Sequence, residues 1–231
     1  LKYLYTGDNF YNELDSDAVL NDLSSFKRPQ TPEPQYSNLG YALLGYILKL
    51  KTGEDIQQLS YDFIFRSLKM GSTSFHGPTL KAYPYRAIGH AGDQPKFIRR
   101  GKVVPDWYFT NNMVAAANLY SNVDDLLKYL RAHITDSEPS ELNSAIRVSE
   151  KIYFERNIEA ANIAWVTDHK DNQVITYQVG YIGGYSSYIG FDKKHKNAVV
   201  VLQNSFNWSN YIGHDLLLKM AMADDYRGTC P

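Results

Sequence analysis

Apolar positions between Asn38 and Leu50 recur at three- and four-residue intervals, at Leu39, Ala42, Leu43, Tyr46, Ile47 and Leu50. Gly53 follows where a helix can end in a left-handed turn, so the spacing predicts a helix with a broad buried face. The approach from Pro29 to Gln35 carries three prolines. Each proline removes a donor and biases its predecessor away from the helical region, which predicts an extended run. Tyr36 then stands at the end of a loop feeding a helix N-terminus. A second helix is predicted over Glu54 to Leu68. Gly71 to Arg100, punctuated by Gly and Pro, reads as surface loop. Ser121 with Asp124 reads as an N-cap and first-turn acid for a helix running to about His133, with Leu126, Leu127 and Leu130 as its apolar stripe.

Downstream the period changes to two. Ile163 to Thr167, Val174 to Val179, Tyr185 to Phe191 and Ala198 to Leu202 are short β-branched and aromatic runs. The turn-like segments Asp168 to Asn172, Gly183-Gly184 and Asp192 to Asn197 separate them, which predicts an antiparallel meander. A final amphipathic helix, Trp208 to Met222, could lie across that sheet. Helices first and strands last indicate an α+β arrangement rather than a doubly wound one. Residues 1–155 are expected to form a mainly helical lobe, and residues 156–231 antiparallel strands with a C-terminal helix.

A chain of 231 residues can bury a sizeable core without staples. Its 24 basic and 25 acidic residues nearly cancel with no long run of either sign, which argues against a nucleic-acid groove or a polybasic membrane patch. A small-molecule or peptide partner fits better. The 19 Tyr suit a sugar- or peptide-binding cleft, or ordinary semi-buried packing. A single cysteine, Cys230, excludes an internal disulfide framework and a cysteine metal site. No apolar run approaches a membrane span of ~20 residues, and Leu1 to Phe10 lacks the pattern of a signal peptide. The six histidines show no H-x-x-x-H or H-E-x-x-H spacing, so no metal is expected, and no organic cofactor is implied.

Four ordered stretches carry chemistry. Tyr36-Ser37-Asn38 precedes the apolar helix that ends at Gly53; Phe65 to Thr73 reads FRSLKMGST; Ala115 to Ser121 is a small-residue segment leading into Asp124-Asp125-Leu126; Gln178 to Phe191 holds two strand-like runs around Gly183-Gly184. Alone, each has a bland explanation as a cap, a turn or a hairpin. In this order they resemble the penicillin-recognising serine hydrolases, the group of class C β-lactamases and D-alanyl-D-alanine carboxypeptidases. The resemblance implies a β-lactamase/transpeptidase-like fold with an antiparallel sheet packed against helices and a mainly helical lobe, together one incomplete domain over residues 1–231. It implies acyl transfer through a covalent serine intermediate on amide or ester bonds. Tyr36 would relay a proton between serine and leaving group. Asn38 would hydrogen-bond the substrate amide and a lysine. Gln178, Val179, Gly180 and Tyr181 would form the substrate strand, with the Tyr181 N–H as one oxyanion donor.

Two strings that satisfy the family's patterns are set aside. Ser24-Ser25-Phe26-Lys27 matches S-x-x-K, but Lys27 is nine residues before Tyr36 and abuts the proline-rich run. Lys51-Thr52-Gly53 matches K-T-G but sits at a helix C-terminus, where Lys suits the dipole and Gly the cap. The nucleophile motif is therefore expected before Leu1. The strand motif also departs from pattern: Gln178 stands in place of Lys or His, and Val179 in place of Thr or Ser. A cation binds a carboxylate through a bond worth about 1.5–3 kcal/mol, a neutral amide through about 0.5–1.5. Without cations beside it, Tyr36 is expected to stay protonated. The expected function is a serine hydrolase in full-length form, with this chain inactive alone. The alternative is a non-catalytic relative that binds cell-wall fragments or a protein. The expected partners are a substrate, and either the missing N-terminal segment or another copy of the chain. The family implies a periplasmic or extracytoplasmic setting.

Overall fold

The computed structural model describes residues 2–13, 16–27, 30, 33–109, 112–135, 140–156, 159–170, 172–208 and 211–228. Its helical part comes first: α1 (Lys2–Thr6), α2 (Ser16–Ser25), α3 (Asn38–Thr52) and α4 (Ile56–Ser60), then the short strand β1 (His90–Ala91), α5 (Val123–Ile134) and α6 (Ser140–Glu150). The strands β2 (Glu159–Ala161), β3 (Val166–Lys170), β4 (Gln173–Ile182), β5 (Tyr185–Asp192), β6 (Asn197–Gln203) and β7 (Ser205–Phe206) follow, and α7 (Ile212–Gly228) closes the order. β2 to β6 form one antiparallel sheet in sequence order, and β1 pairs with β7 in parallel. The α+β class read from the sequence is the class observed.

Alternation at period two gives the sheet two apolar faces. Ile175, Tyr177, Val179, Tyr188, Val199 and Val201 turn to one side and pack with Leu217 and Leu218 of α7. Ile189, Phe191, Ala198 and Val200 turn to the other and pack with Trp165 and Leu130 of α5. Leu130 and Leu217 are wholly buried, and each such side chain contributes about 1.5–3 kcal/mol. The β4–β5 turn falls at Gly183-Gly184, where Gly184 takes φ 81°.

Several boundaries differ from the sequence expectation, each for a visible reason. β3 starts at Val166 rather than Ile163, because Ala164 lies at φ 62° and breaks the extended backbone. It then runs through Asp168 to Lys170, so the turn shortens around Asn172, itself at φ 63°. The cap of α5 is Asn122, whose side chain accepts from Asp125 N. The hydroxyl of Ser121 is bonded to that of Thr73 instead. The last helix starts at Ile212, not Trp208, since the Trp208 N–H is bound by the Asp93 carboxylate and held in the preceding loop.

The second helix is capped by Asp55 and passes from α4 into a π-helical turn at Tyr61–Phe65. Residues 71–100 are more than surface loop, because β1 docks on β7 and Ala91 is fully buried. The helix α3 ends where expected, with Gly53 at φ 80° and its N–H on Lys49 O. Its buried face is narrower than predicted: Ala42 is buried, whereas Ile47 is 44% and Leu50 68% exposed. Arg28, Pro29, Thr31, Pro32 and Cys230 lie outside the described residues.

Candidate active site

The N-cap of α3 positions the first candidate residues. Ser37 is extended, at φ −147°, and its Oγ accepts from Gly40 N at 2.9 Å. That leaves Tyr36 on the chain before the helix and Asn38 as its first residue. Tyr36 is 78% exposed. Asn38 Nδ2 donates to the Tyr11 hydroxyl at 2.8 Å. Desolvation pushes the Tyr36 phenol above its ordinary range, and the phenols of Tyr11 and Tyr41 add to it. With so much of its surface exposed the desolvation is slight, but no cation acts against it. The residue is protonated at neutral pH.

One helical step on, the backbone N–H of Ala164 lies near the Tyr41 phenol and works against the rise that burial gives its pKa. The Ala164 carbonyl accepts from Gln178 Nε2 at 2.8 Å. The left-handed Ala164 thus lies between Tyr41 of α3 and Gln178 of β4. No hydrogen bond joins Tyr36 or Asn38 directly to Gln178–Tyr181 among the described residues. Gln178 does not project as a free amide, since its Oε1 also accepts from Val179 N at 2.9 Å.

The edge of β4 is open where these residues lie. β3 pairs with β4 only from Gln173 to Tyr177, while β5 pairs with it on to Ile182. Among the described residues, Gln178 to Ile182 therefore have no strand on the outer side. The Val179 N–H is turned to that edge, where the Gln178 side chain caps it. By the alternation of an antiparallel ladder, the Tyr181 N–H faces the same edge. Tyr181 itself is anchored through its hydroxyl to Trp208 O at 2.7 Å.

Beside this strand lies a cavity of about 1100 Å³. Gln178, Gly180, Ile182, Ser187, Ile189 and Leu202 line it from the sheet, and residues 80–83, 85–87, 106–107 and 118–122 from elsewhere. Tyr36, Asn38 and Tyr181 are not among its walls. Sequence reasoning missed the polar network on its wall. Arg86 binds Asp106 Oδ2 through Nε at 2.9 Å and a terminal nitrogen at 2.7 Å. The Tyr185 hydroxyl donates to Asp106 Oδ1 at 3.1 Å and to Ala87 O at 2.8 Å. The Tyr83 and Tyr108 hydroxyls are bonded to each other. Burial, then the Tyr108 hydrogen bond, push the Tyr83 phenol up to about 12. No sequence spacing links these residues, so no pattern could have found them.

The other two stretches also meet. Ser74 pairs with Tyr120, and the buried Asp125 accepts from Ser72 N at 2.7 Å and Thr73 Oγ1 at 2.9 Å. Burial alone would raise the Asp125 carboxyl, but Lys128, Ser72 and Thr73 outweigh it and hold it below the usual range. Ser24 and Lys27 are both exposed and not among the cavity's walls, and Ser24 Oγ is bonded to Asn21 O. No group of three His, Cys, Asp or Glu among the described residues could hold a metal. No helix among them is long and apolar enough to cross a membrane.

The family described as Beta-lactamase matches residues 5–219. The chain belongs to that family. It is 26% identical over 178 residues to protein flp of Staphylococcus aureus, a match that covers 74% of this chain and 33% of flp. A class C beta lactamase from Rhodobacter sphaeroides superposes with a TM-score of 0.77 at 20% identity, covering 90% of this chain and 66% of that one. A D-alanine carboxypeptidase from Burkholderia cenocepacia superposes with a TM-score of 0.74 at 18% identity, over 95% of this chain and 69% of that one. The fold is the β-lactamase/transpeptidase-like fold anticipated from the four stretches. The chain spans a third of flp and about two thirds of these solved β-lactamase-family structures.

Proposed function

We propose that this chain supplies part of a serine acyl-transfer site acting on amide or ester bonds, such as those of D-Ala-containing peptides. The observation that carries the reading is the position of Ala164, bonded to Gln178 of β4 and near Tyr41 of α3, which supports the Tyr36-Ser37-Asn38 turn and the open edge of β4 serving one locus. In this reading the Tyr181 N–H donates to the carbonyl oxygen of the substrate, Asn38 binds its amide and Tyr36 carries a proton. A serine hydroxyl adds to the carbonyl carbon, its proton passes through Tyr36 to the departing amine or alkoxide, and water later releases the acyl group.

In this reading the nucleophile comes from polypeptide outside residues 1–231, since Ser24 is exposed, bonded to its own helix and not part of the cavity wall. The cavity beside β4 is the seat we assign to that segment. A helix about 10–12 Å across that rises 5.4 Å per turn would fill it with about two turns. We place the assembled protein outside the cytoplasm on family grounds. A second reading, a non-catalytic binding module, draws support from Gln178, whose amide is occupied where a cation would otherwise serve the substrate.

The test is turnover of a chromogenic cephalosporin and a p-nitrophenyl ester by residues 1–231, beside a longer chain that carries the upstream segment. No turnover by the first and turnover by the second is expected, with Tyr36→Phe in the longer chain costing roughly 10²–10⁴ in kcat. Equal turnover by both would place the nucleophile within these residues, Ser24 first. Absence of turnover in both would favour the binding module.

A further inference from the structure

Gln178 brings three features of the site together. Its carboxamide is tied to the backbone at both ends, with Nε2 on Ala164 O at 2.8 Å and Oε1 on Val179 N at 2.9 Å. Ala164 sits at φ 62°, a region that residues other than glycine enter at a cost. The Gln178 amide on its carbonyl helps to hold it there. The capped N–H is one of the two donors, Val179 and Tyr181, that β4 turns toward its open edge. Strand addition by an extended peptide needs donors and acceptors at alternate residues, so capping Val179 removes one link of that ladder. Charge points the same way: β4 carries no cation. Of the two cations lining the cavity, Arg86 is committed to Asp106 and Lys81 belongs to the separate segment 80–87.

We propose that Gln178 sets the specificity of this site: it closes the edge of β4 to carboxylates and to strand addition, and leaves a one-donor subsite at Tyr181 for a small uncharged ester or amide. This rests on the acyl-transfer reading and names its substrate class. A carboxylate brought to the edge finds a neutral amide already paired. An ester carbonyl needs only the Tyr181 N–H.

The experiment titrates isotope-labelled residues 1–231 with N-acetyl-D-alanyl-D-alanine, its methyl ester and an extended tetrapeptide blocked at both ends, following the Val179 and Tyr181 amide resonances. Expected for the unaltered chain is a shift of Tyr181 by the ester, with the free carboxylate binding at least about fivefold more weakly and the tetrapeptide no better than the ester. Gln178→Lys should move the carboxylate-to-ester ratio about tenfold toward the carboxylate, the difference between a charge-assisted and a neutral hydrogen bond. Gln178→Ala should speed hydrogen exchange at Val179 but not at Tyr181, and strengthen the tetrapeptide several-fold. Carboxylate binding equal to or tighter than the ester, or an unchanged ranking in both variants, would overturn the role of Gln178 while leaving the acyl-transfer reading standing. Failure of all three probes to shift Tyr181 would remove that reading and this inference together.

Discussion

His195 lies between two carboxylates, its Nδ1 2.5 Å from Asp192 and its Nε2 2.9 Å from Asp225. Lys194 and Gln173 also reach Asp225, and Asn197 binds Asp224, so the β5–β6 turn clasps the end of α7. The hydrogen bonds to Asp192 and then Asp225 raise the His195 pKa, against partial desolvation. The hydrogen bond from His195, followed by those from Gln173 and Lys194, holds the Asp225 carboxyl well below the usual range. A raised histidine contributes stability that is complete below its unfolded value near 6.5 and is lost as pH climbs through the folded value. A lowered aspartate contributes stability that is present above about 3.9 and is lost as pH falls. The melting temperature should therefore be highest in the mildly acidic range and decline above neutrality. His195→Gln should flatten the alkaline decline. A profile for that variant that still falls as steeply would show that the clasp does not titrate.

At the level of elements, α3 owes its position to the close approach of Gly45 to Ala115. A Cβ on Gly45 would stand 2.4 Å from the Ala115 Cβ. Overpacking of this kind costs about 1–3 kcal/mol, offset by up to about 1 kcal/mol of helix propensity gained in replacing glycine by alanine. Gly45→Ala should lower the urea midpoint, and adding Ala115→Gly should recover part of the loss. Additive effects in that double-mutant cycle would mean the contact is not what places the helix. The three helices left unpredicted, α1, α2 and α6, lack the same clarity of pattern. In α6 the sequence SELNSAIRVSE carries few apolar residues, and Ile146 is buried in a cluster with Phe65, Leu68, Met70 and Ala132 of earlier elements. Periodicity could expose α3, α5 and the four longer strands because each has an apolar face of its own. It could not expose a helix that exists by packing on others.

For the molecule as a whole, the sheet is covered by α7 on one face and only in part on the other. There α5 packs over β5 and β6, and the cavity opens beside it. Leu119 and Leu202 line that cavity and remain 45% and 43% exposed. An apolar surface of this extent between two layers predicts binding of the dye anilinonaphthalene sulfonate by the native chain, with fluorescence well above that of a protein with a closed core. Leu202→Lys should reduce the signal while circular dichroism and cooperative unfolding stay unchanged. Undiminished fluorescence in a folded variant would show that the dye reports another surface.

Read alone, the chain determined the class of fold, the helix ending at Gly53, the meander around Gly183-Gly184 and the order of the four stretches, because these depend on periods of two and 3.6 and on turn chemistry that neighbouring residues carry themselves. It also determined that Lys51-Thr52-Gly53 is a helix end and that Gln178 brings no charge. Tertiary structure decided that the left-handed backbone of Ala164, which no residue type announces, lies between Tyr41 of α3 and Gln178 of β4. It decided that the Gln178 amide is tied to Val179 and Ala164, that Asp106 gathers Arg86 and Tyr185 on the cavity wall, and that part of the α3 face stays exposed. Each of these depends on which distant surfaces come together, and local pattern has no means of encoding distance between residues that are far apart along the chain.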